Sequence, residues 1–192
     1  ACQTYTPGDG DNYTPRMNTN VQFLGSAEQL QKRRISEKTN EFYRIYRHGN
    51  TLRFPYYDES GRVVGFKIKT KSKDFHYEGA TAPCLFGQHL FPTSGKRIVI
   101  TEGELDAASC YEVMSGWPMV SLPHGAAAAK KDLQKAIPFL QGYQEIVLFF
   151  DNDDAGREAV ESASSILPAG RVKIARLDAY KDASDALQAD DK

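Results

Sequence analysis

The sequence has few cysteines, no long apolar run and almost no net charge. Its 192 residues include three cysteines, Cys2, Cys84 and Cys110, which lie far apart and form no CxxC pair. An odd number of isolated cysteines excludes a disulfide framework and a cysteine zinc site, so we expect no zinc in this stretch of chain and a reducing, cytoplasmic compartment. The longest apolar runs, such as residues 146–150, have the length of a strand, which excludes a membrane-spanning helix and predicts no membrane partner.

The net charge of −1 hides an uneven distribution along the chain. Residues 1–100 contain 15 Lys and Arg against 9 Asp and Glu, whereas residues 101–192 contain 9 against 16. A basic half joined to an acidic half predicts one surface for a polyanion and another for cations. The chain starts with Ala1 and no signal-peptide apolar segment follows, so we expect a fragment of a longer protein.

The basic half divides into a tail and a small subdomain. Residues 1–22 are rich in Pro, Gly, Thr and Asn and predict an extended linker. Ser26 begins a capping-box pattern that predicts a short helix to about Arg33. Apolar residues then alternate on either side of a polar turn at residues 58–61, which predicts a β-hairpin. We therefore expect residues 23–95 to form a basic α+β subdomain that binds template or nucleotide.

Residues 96–192 change to a different pattern, in which short apolar runs are separated by helix-length segments. The runs span residues 98–100, 119–122, 146–150 and 172–175. Strands that alternate with helices predict an α/β fold, with a mostly parallel sheet and flanking helices. The boundary with the basic subdomain falls near residues 92–95.

Acidic clusters follow the first and third predicted strands of this half. Glu102 and Asp106 lie after one strand, and Asp151 and Asp153 after the other. Because ligands bind beyond the carboxyl ends of parallel strands, we expect these carboxylates to converge and to share Mg²⁺, which takes oxygen ligands. Either cluster alone is more typical of helix N-capping. Asp182, after the fourth strand, adds a further carboxylate, and helix N-capping is again the alternative explanation for it.

Other motifs with similar composition do not match. A calcium-binding loop that starts at Asp151 would need an oxygen ligand where Ala155 stands and a Glu where Ser162 stands. The sequence also contains no G-x-G-x-x-G and no G-x-x-x-x-G-K-[ST] motif. These mismatches exclude a calcium sensor, a dinucleotide-binding dehydrogenase and a P-loop ATPase.

Basic residues form a second candidate site. Lysines stand at every second position over residues 67–73, namely Lys67, Lys69, Lys71 and Lys73. On one strand all four would project from one face and form a track for a phosphate backbone; charge on an exposed edge strand is the alternative. Pro123-His124-Gly125 precedes an Ala-rich helix that carries Lys130. This loop predicts a phosphate site at a helix start, while a local hydrogen bond for His124 explains it equally well.

Taken together, the motifs resemble a known family. Residues 101–106 (Thr-Glu-Gly-Glu-Leu-Asp) and 150–157 (Phe-Asp-Asn-Asp-Asp-Ala-Gly-Arg) resemble the TOPRIM module of primases, topoisomerases and some nucleases. Together with residues 121–125 (Ser-Leu-Pro-His-Gly) and 167–172 (Leu-Pro-Ala-Gly-Arg-Val), they are similar to the primase half of podovirus bifunctional primase-helicases. The resemblance covers about residues 30–188. It implies a TOPRIM-like sheet in residues 96–192.

The resemblance also implies roles for single residues. Glu102, Asp151 and Asp153 match catalytic metal positions, and Asp106 and Asp182 match supporting acidic positions. Lys67 and Lys73 match basic positions that serve nucleotide or template. Whether Glu102 binds an ion or accepts the proton of the attacking hydroxyl stays open.

The implied function is that of a DNA primase catalytic core, which joins ribonucleoside triphosphates into a short RNA primer on single-stranded DNA. It implies two divalent ions, Mg²⁺ or Mn²⁺. The expected partners include zinc-binding and helicase domains elsewhere in the same polypeptide and a replicative DNA polymerase, with the host cytoplasm as location. A metal-dependent nuclease and a non-catalytic single-stranded DNA binding module remain the alternatives.

Overall fold

The computed structural model describes residues 21–72, 74–80 and 83–190. The predicted linker therefore lies almost wholly outside the described residues, as does Lys73. The described residues of the first half contain one α-helix, α1 (Glu37–Tyr43), and four strands, β1 (Tyr46–His48), β2 (Thr51–Tyr57), β3 (Val63–Lys69) and β4 (Phe75–Gly79). These strands form an antiparallel sheet in the order of the chain.

The predicted hairpin is confirmed as the pair β2 and β3. Asp58 forms its turn, because Oδ1 accepts hydrogen bonds from the backbone amides of Ser60 at 2.9 Å and Arg62 at 3.0 Å. Gly61 has a φ of +77°, which few other residues adopt at low cost. Phe54 and Tyr56 on β2 are buried, but so are Arg53 and Tyr57, so β2 is covered on both faces and does not alternate as the pattern predicted.

The predicted helix from Ser26 to Arg33 is wrong. Ser26 instead pairs in an extended conformation with Arg47, whose amide donates to the Ser26 carbonyl at 2.9 Å. Only the short 3₁₀ helix Gln31–Arg33 follows. The helix start lies ten residues later, where Ser36 Oγ accepts from the amide of Thr39 at 3.2 Å and caps α1. Pairing with β1 satisfies the Ser26 backbone, and the capping-box pattern cannot show this.

The second half forms the expected parallel sheet. Its strands are β5 (Gly95–Thr101), β6 (Met119–Ser121), β7 (Tyr143–Phe149) and β8 (Val172–Ile174), in the order β6-β5-β7-β8 with all pairs parallel. Its helices are α2 (Glu104–Val113), α3 (Ala129–Leu140), α4 (Asp154–Ser164) and α5 (Ala183–Gln188). The chain leaves β5 toward one edge and returns to β7 on the other side. A crevice therefore opens beyond the ends of β5 and β7, where such folds bind ligands.

The two sheets share a buried core. Ile98 and Leu133 belong to one apolar cluster between the parallel sheet and its helices. A second cluster joins the halves, since it contains Tyr43 and Phe54 together with Met119. This packing places β3 beside the carboxyl ends of β5 and β7. In the described part of the chain, no helix is long and apolar enough to cross a membrane.

Candidate active site

A cavity of about 690 Å³ opens where the two sheets meet. Acidic residues from the ends of the parallel strands line one side, and basic and aromatic residues of the antiparallel sheet line the other. They include Lys67, Lys69, Tyr77, Glu102, Glu104, Asp106, His124, Asp151, Lys181 and Asp182. Most of the site residues predicted from sequence therefore lie around one space, whereas Asp153, Lys71 and Lys130 do not line it.

Glu102 lies directly after β5 and is half-buried. Its Oε1 is 3.4 Å from the amide of Ala126, while Oε2 is buried with no hydrogen-bond partner among the described residues. Burial, followed by the charge of Asp151, raises the pKa of the Glu102 carboxyl. A buried carboxylate oxygen without a partner costs free energy unless a proton or a cation meets it.

Asp151 and Asp153 follow β7 and share one cation. Lys181 Nζ lies 3.1 Å from Asp151 Oδ2 and 3.3 Å from Asp153 Oδ2. Burial raises the pKa of Asp151 in spite of this ammonium group. The pKa of Asp153 is lowered, first by the Gly156 amide that donates to its Oδ1 and then by Lys181. The hydrogen bond to Asp151 raises the pKa of Lys181, so its charge is fully present at neutral pH.

Gly156 explains the spacing of this motif. A Cβ atom at Gly156 would lie 2.0 Å from the backbone oxygen of Asp151, so only glycine fits there. The Gly156 amide donates to Asp153 Oδ1 at 2.9 Å, and through this bond Asp153 caps α4. Asp153 therefore caps the helix with Oδ1, as the alternative predicted, while its Oδ2 faces a cation.

Asp106 and Asp182 meet at the far side of the cavity. Asp106 Oδ1 accepts from the amide of Ser184 at 3.1 Å. Burial, followed by the charges of Asp182 and Asp151, raises the pKa of Asp106 well above its usual range. Asp182 caps α5, since Oδ1 accepts from the amide of Asp185 at 2.7 Å. The two supporting residues therefore place further carboxyl groups beside the acidic cluster, and burial makes Asp106 hold its proton more tightly than an exposed aspartate does.

The carboxylates fit a divalent cation in chemistry. Within residues 21–72, 74–80 and 83–190, no three His, Cys, Asp or Glu side chains form a ready metal-binding group. The donors nevertheless are all oxygens, which Mg²⁺ and Mn²⁺ prefer. Glu102 Oε2 lacks a partner, and the Lys181 ammonium group takes the place of a cation between Asp151 and Asp153.

The predicted track of four lysines is wrong in part. β3 ends at Lys69, and Lys71 lies exposed in the turn that follows it. Lys67 and Lys69 do share a face, and both ammonium groups lie over the Phe75 ring, at 4.7 and 5.3 Å from its centroid. That face points to the cavity and not to bulk solvent, because the parallel sheet packs beside it. Burial lowers the pKa of Lys69.

Lys67 has partners that the sequence did not reveal. Its side chain is 10% exposed, and Nζ lies 2.8 Å from Glu104 Oε1. Glu104 is itself buried and also accepts a hydrogen bond from the Tyr56 hydroxyl at 2.6 Å. In the sequence, Glu104 was marked as a site residue only by its place in the acidic cluster, at the first position of α2. Lys181 was overlooked in the same way, beside Asp182.

The His124 loop is held by local bonds. Asp132 on α3 lies 3.0 Å from His124 Nδ1, as the hydrogen-bond alternative predicted. The Ala126 amide faces Glu102 and not open space, which removes one of the amides expected to bind phosphate. Lys130 is exposed on α3 and does not line the cavity. His124 does line it, so it keeps access to a ligand.

Comparison with known proteins points to one group. A family described as Toprim-like matches residues 99–187. The "DNA helicase/primase" of Enterobacteria phage T3 is 43% identical over 140 residues, which cover 71% of this chain and 24% of that protein. The primase fragment of the bacteriophage T7 primase-helicase superposes with a TM-score of 0.81 at 33% identity, covering 97% of this chain and 80% of that one.

A further T7 structure shows a relative in an assembly. It contains lagging-strand DNA polymerase with primase domains of two gp4 subunits bound to an RNA/DNA hybrid and dTTP. The match has a TM-score of 0.78 at 37% identity and covers 88% of this chain and 87% of the other. The chain spans about a quarter of the length of the curated relatives that it matches.

Proposed function

The chain belongs to the TOPRIM primase family of phage primase-helicases, and from this membership we propose that it is a DNA primase catalytic core. Its reaction joins ribonucleoside triphosphates into short RNA primers on a single-stranded DNA template. The observation that carries the proposal is the cavity in which Glu102 and Asp151 face Lys67 and Lys69. Phosphoryl transfer depends mainly on positioning and charge neutralisation, so a cavity with opposed acidic and basic sides suits it.

Each subdomain has its own task in this proposal. Residues 23–95 supply cationic and aromatic groups for nucleotide and template, among them Lys69 and Phe75. Residues 96–192 supply the acidic site. The T7 assembly with polymerase and an RNA/DNA hybrid supports a polymerase and a template strand as partners here. Because the T3 relative is a phage helicase/primase, the proposed place of action is the host cytoplasm.

The carboxylates hold divalent metal in this proposal. Asp151 and Asp153 would hold the ion, in the place that Lys181 occupies between them. A divalent ion there would stabilise negative charge on the reacting oxygens, and two ions would serve the attacking and the leaving oxygen separately. These donors suit Mg²⁺ and Mn²⁺ alike, because both ions take oxygen ligands.

Glu102 takes the proton in this proposal. The 3′ hydroxyl of one nucleotide attacks the α-phosphorus of the next, and its proton passes to Glu102 Oε2, the oxygen without a partner. The raised pKa of Glu102 makes it a better base than an ordinary carboxylate. Asp106 and Asp182 also line the cavity and take no direct part in the proton transfer.

The direct test is extension of a diribonucleotide on single-stranded DNA with ribonucleoside triphosphates and Mg²⁺. We expect the protein to make product, and Glu102→Gln and Asp151→Asn to lower the rate by about 100-fold or more. Glu161→Gln and Asp178→Asn are matched controls, because these exposed residues lie outside the cavity and should leave the rate unchanged. Thermal melts and DNA binding should change little in either active-site variant.

Three outcomes would contradict the proposal. Synthesis that persists in both active-site variants would remove the carboxylates from the chemistry. Breakdown of labelled DNA with Mg²⁺ and no nucleotides would indicate a nuclease. DNA binding without any product, with or without metal, would indicate a binding module.

A further inference from the structure

A buried carboxylate on α3 has no part in the mechanism above. The Asp132 side chain is 3% exposed and lies in the first turn of α3. Its two oxygens lie 3.0 and 3.1 Å from the same atom, His124 Nδ1. A buried carboxylate is costly unless it is paired, so this arrangement fixes the orientation of the imidazole.

The loop that carries His124 is also fixed on both sides. The carbonyl oxygen of Pro123 accepts from Lys67 Nζ at 3.0 Å and from the Tyr77 hydroxyl at 3.2 Å. Two residues after His124, the Ala126 amide faces Glu102 Oε1 at 3.4 Å. Three elements thus hold the backbone while Asp132 holds the ring. Such support is what a side chain with a positional task requires.

The pairing determines what His124 presents to the cavity. Asp132 can only accept, so Nδ1 carries a proton and Nε2 is the ring nitrogen left to a ligand. Among the described residues Nε2 has no hydrogen-bond partner, and the side chain is 30% exposed on the cavity wall. When the ring binds a second proton, Nε2 also becomes a donor. The cavity therefore contains a ring nitrogen that can donate to an anionic ligand and pass it a proton.

We propose that His124 binds the departing pyrophosphate through Nε2 and protonates it, and that Asp132 is the residue that positions His124. This inference rests on the proposed primase function. As the bond from the 3′ oxygen to the α-phosphorus forms, the bond from that phosphorus to the bridging oxygen breaks. The bridging oxygen leaves with its electron pair on pyrophosphate and takes the proton from Nε2. The imidazole is then neutral and regains a proton from solvent.

The charged and titratable groups around His124 are consistent with this role. Asp132 faces it from α3, and the Tyr77 ring of β4 lies 6.0 Å from its ring. Lys67 of β3 reaches the preceding carbonyl, and Glu102 after β5 reaches the amide beyond it. The nearest negative partner is thus Asp132, on the side of the ring away from a ligand at Nε2.

The test uses nucleotides whose leaving groups differ in basicity. Triphosphates with methylene, difluoromethylene or dichloromethylene in place of the β,γ oxygen span that range. We expect His124→Gln to lower the single-turnover rate by about 100-fold with ordinary nucleotides, more with the basic methylene leaving group and clearly less with difluoromethylene. His89→Gln is the matched control, since His89 lies stacked on Tyr57 outside the cavity. An equal loss with every leaving group, or no loss, would overturn the inference.

Asp132→Asn provides the second variant. Loss of the carboxylate leaves the ring without the partner that orients it, so the rate loss should again grow with the basicity of the leaving group, as in His124→Gln. A nitrogen-15 spectrum of the His124 ring in the wild type should show protonation on addition of pyrophosphate. A loss in Asp132→Asn that is equal with every leaving group, or a ring that stays neutral with pyrophosphate bound, would refute the roles. A wild type that binds pyrophosphate at His124 but makes no primer would instead refute the primase function and the proton transfer together.

Discussion

Replacing Lys181 with methionine removes the cation shared by Asp151 and Asp153. Its ammonium group lies 3.1 and 3.3 Å from the two carboxylates, but its side chain is 54% exposed and that of Asp153 is 42% exposed. Solvent reduces such pairs to about 0.2–1 kcal/mol each. We therefore expect the metal-free variant to lose about 1 kcal/mol of stability, a fall in Tm of about 2–4 °C for a chain of this size.

The same free energy should appear with opposite sign in metal binding. A divalent ion must displace Lys181 from the wild type, whereas in Lys181→Met the carboxylates are already free. A difference of about 1 kcal/mol predicts roughly five-fold tighter binding of Mn²⁺. Titration of Mn²⁺ followed by electron paramagnetic resonance measures the affinity, and thermal melts in EDTA measure the stability.

Lys135→Met is the matched control for this change. It removes the same charge from α3, where Lys135 is exposed and has no carboxylate partner among the described residues. Its Mn²⁺ affinity and its Tm in EDTA should equal those of the wild type. Weaker or unchanged Mn²⁺ binding in Lys181→Met would show that Lys181 does not occupy the place of a metal.

Two further predictions concern buried charge. Asp106→Asn should stabilise the metal-free protein at neutral pH. Because the carboxyl pKa is raised in the folded state, its contribution to stability is present below about pH 4 and is lost as the pH rises, at about 1.4 kcal/mol per pKa unit. Melts in EDTA from pH 4 to 7.5 test this, and an unchanged or lower Tm at neutral pH would contradict it. Lys67→Met should cost about 3–5 kcal/mol in urea unfolding, because it leaves Glu104 buried without its cation. The double variant with Glu104→Gln should recover most of that loss, and a single-variant loss below about 1 kcal/mol would refute the buried pair.

The parallel sheet and its acidic edge followed from local sequence patterns. Apolar runs of strand length, separated by helix-length segments, fix the order of strands and helices. Parallel strands end at one edge, so Glu102 and Asp151 were expected at the same edge, while the strand order that makes β5 and β7 neighbours came only from the structure. The spacing of Asp153 and Gly156 is likewise local, since it serves one helix cap.

Contacts between distant segments were beyond the reach of these patterns. Alternation shows which face Lys67 shares with Lys69, but not that a second sheet covers that face and supplies Glu104. Ser26 has a capping pattern, yet its backbone forms hydrogen bonds with Arg47 of β1, about twenty residues later in the chain. Lys181 and Asp151 are 30 residues apart, and only the folded chain brings the cation to the acidic cluster. Such tertiary contacts override local preference.

The most direct test of the account is the anomalous scattering of manganese in a crystal soaked with Mn²⁺ at neutral pH. The account predicts a peak in the cavity that is bound by Asp151 and Asp153, near Glu102, with Lys181 displaced from both carboxylates. Two results would contradict it, provided that the protein is saturated with Mn²⁺ in solution. Either the crystals show the ion elsewhere, or they show Lys181 still bound to both aspartates.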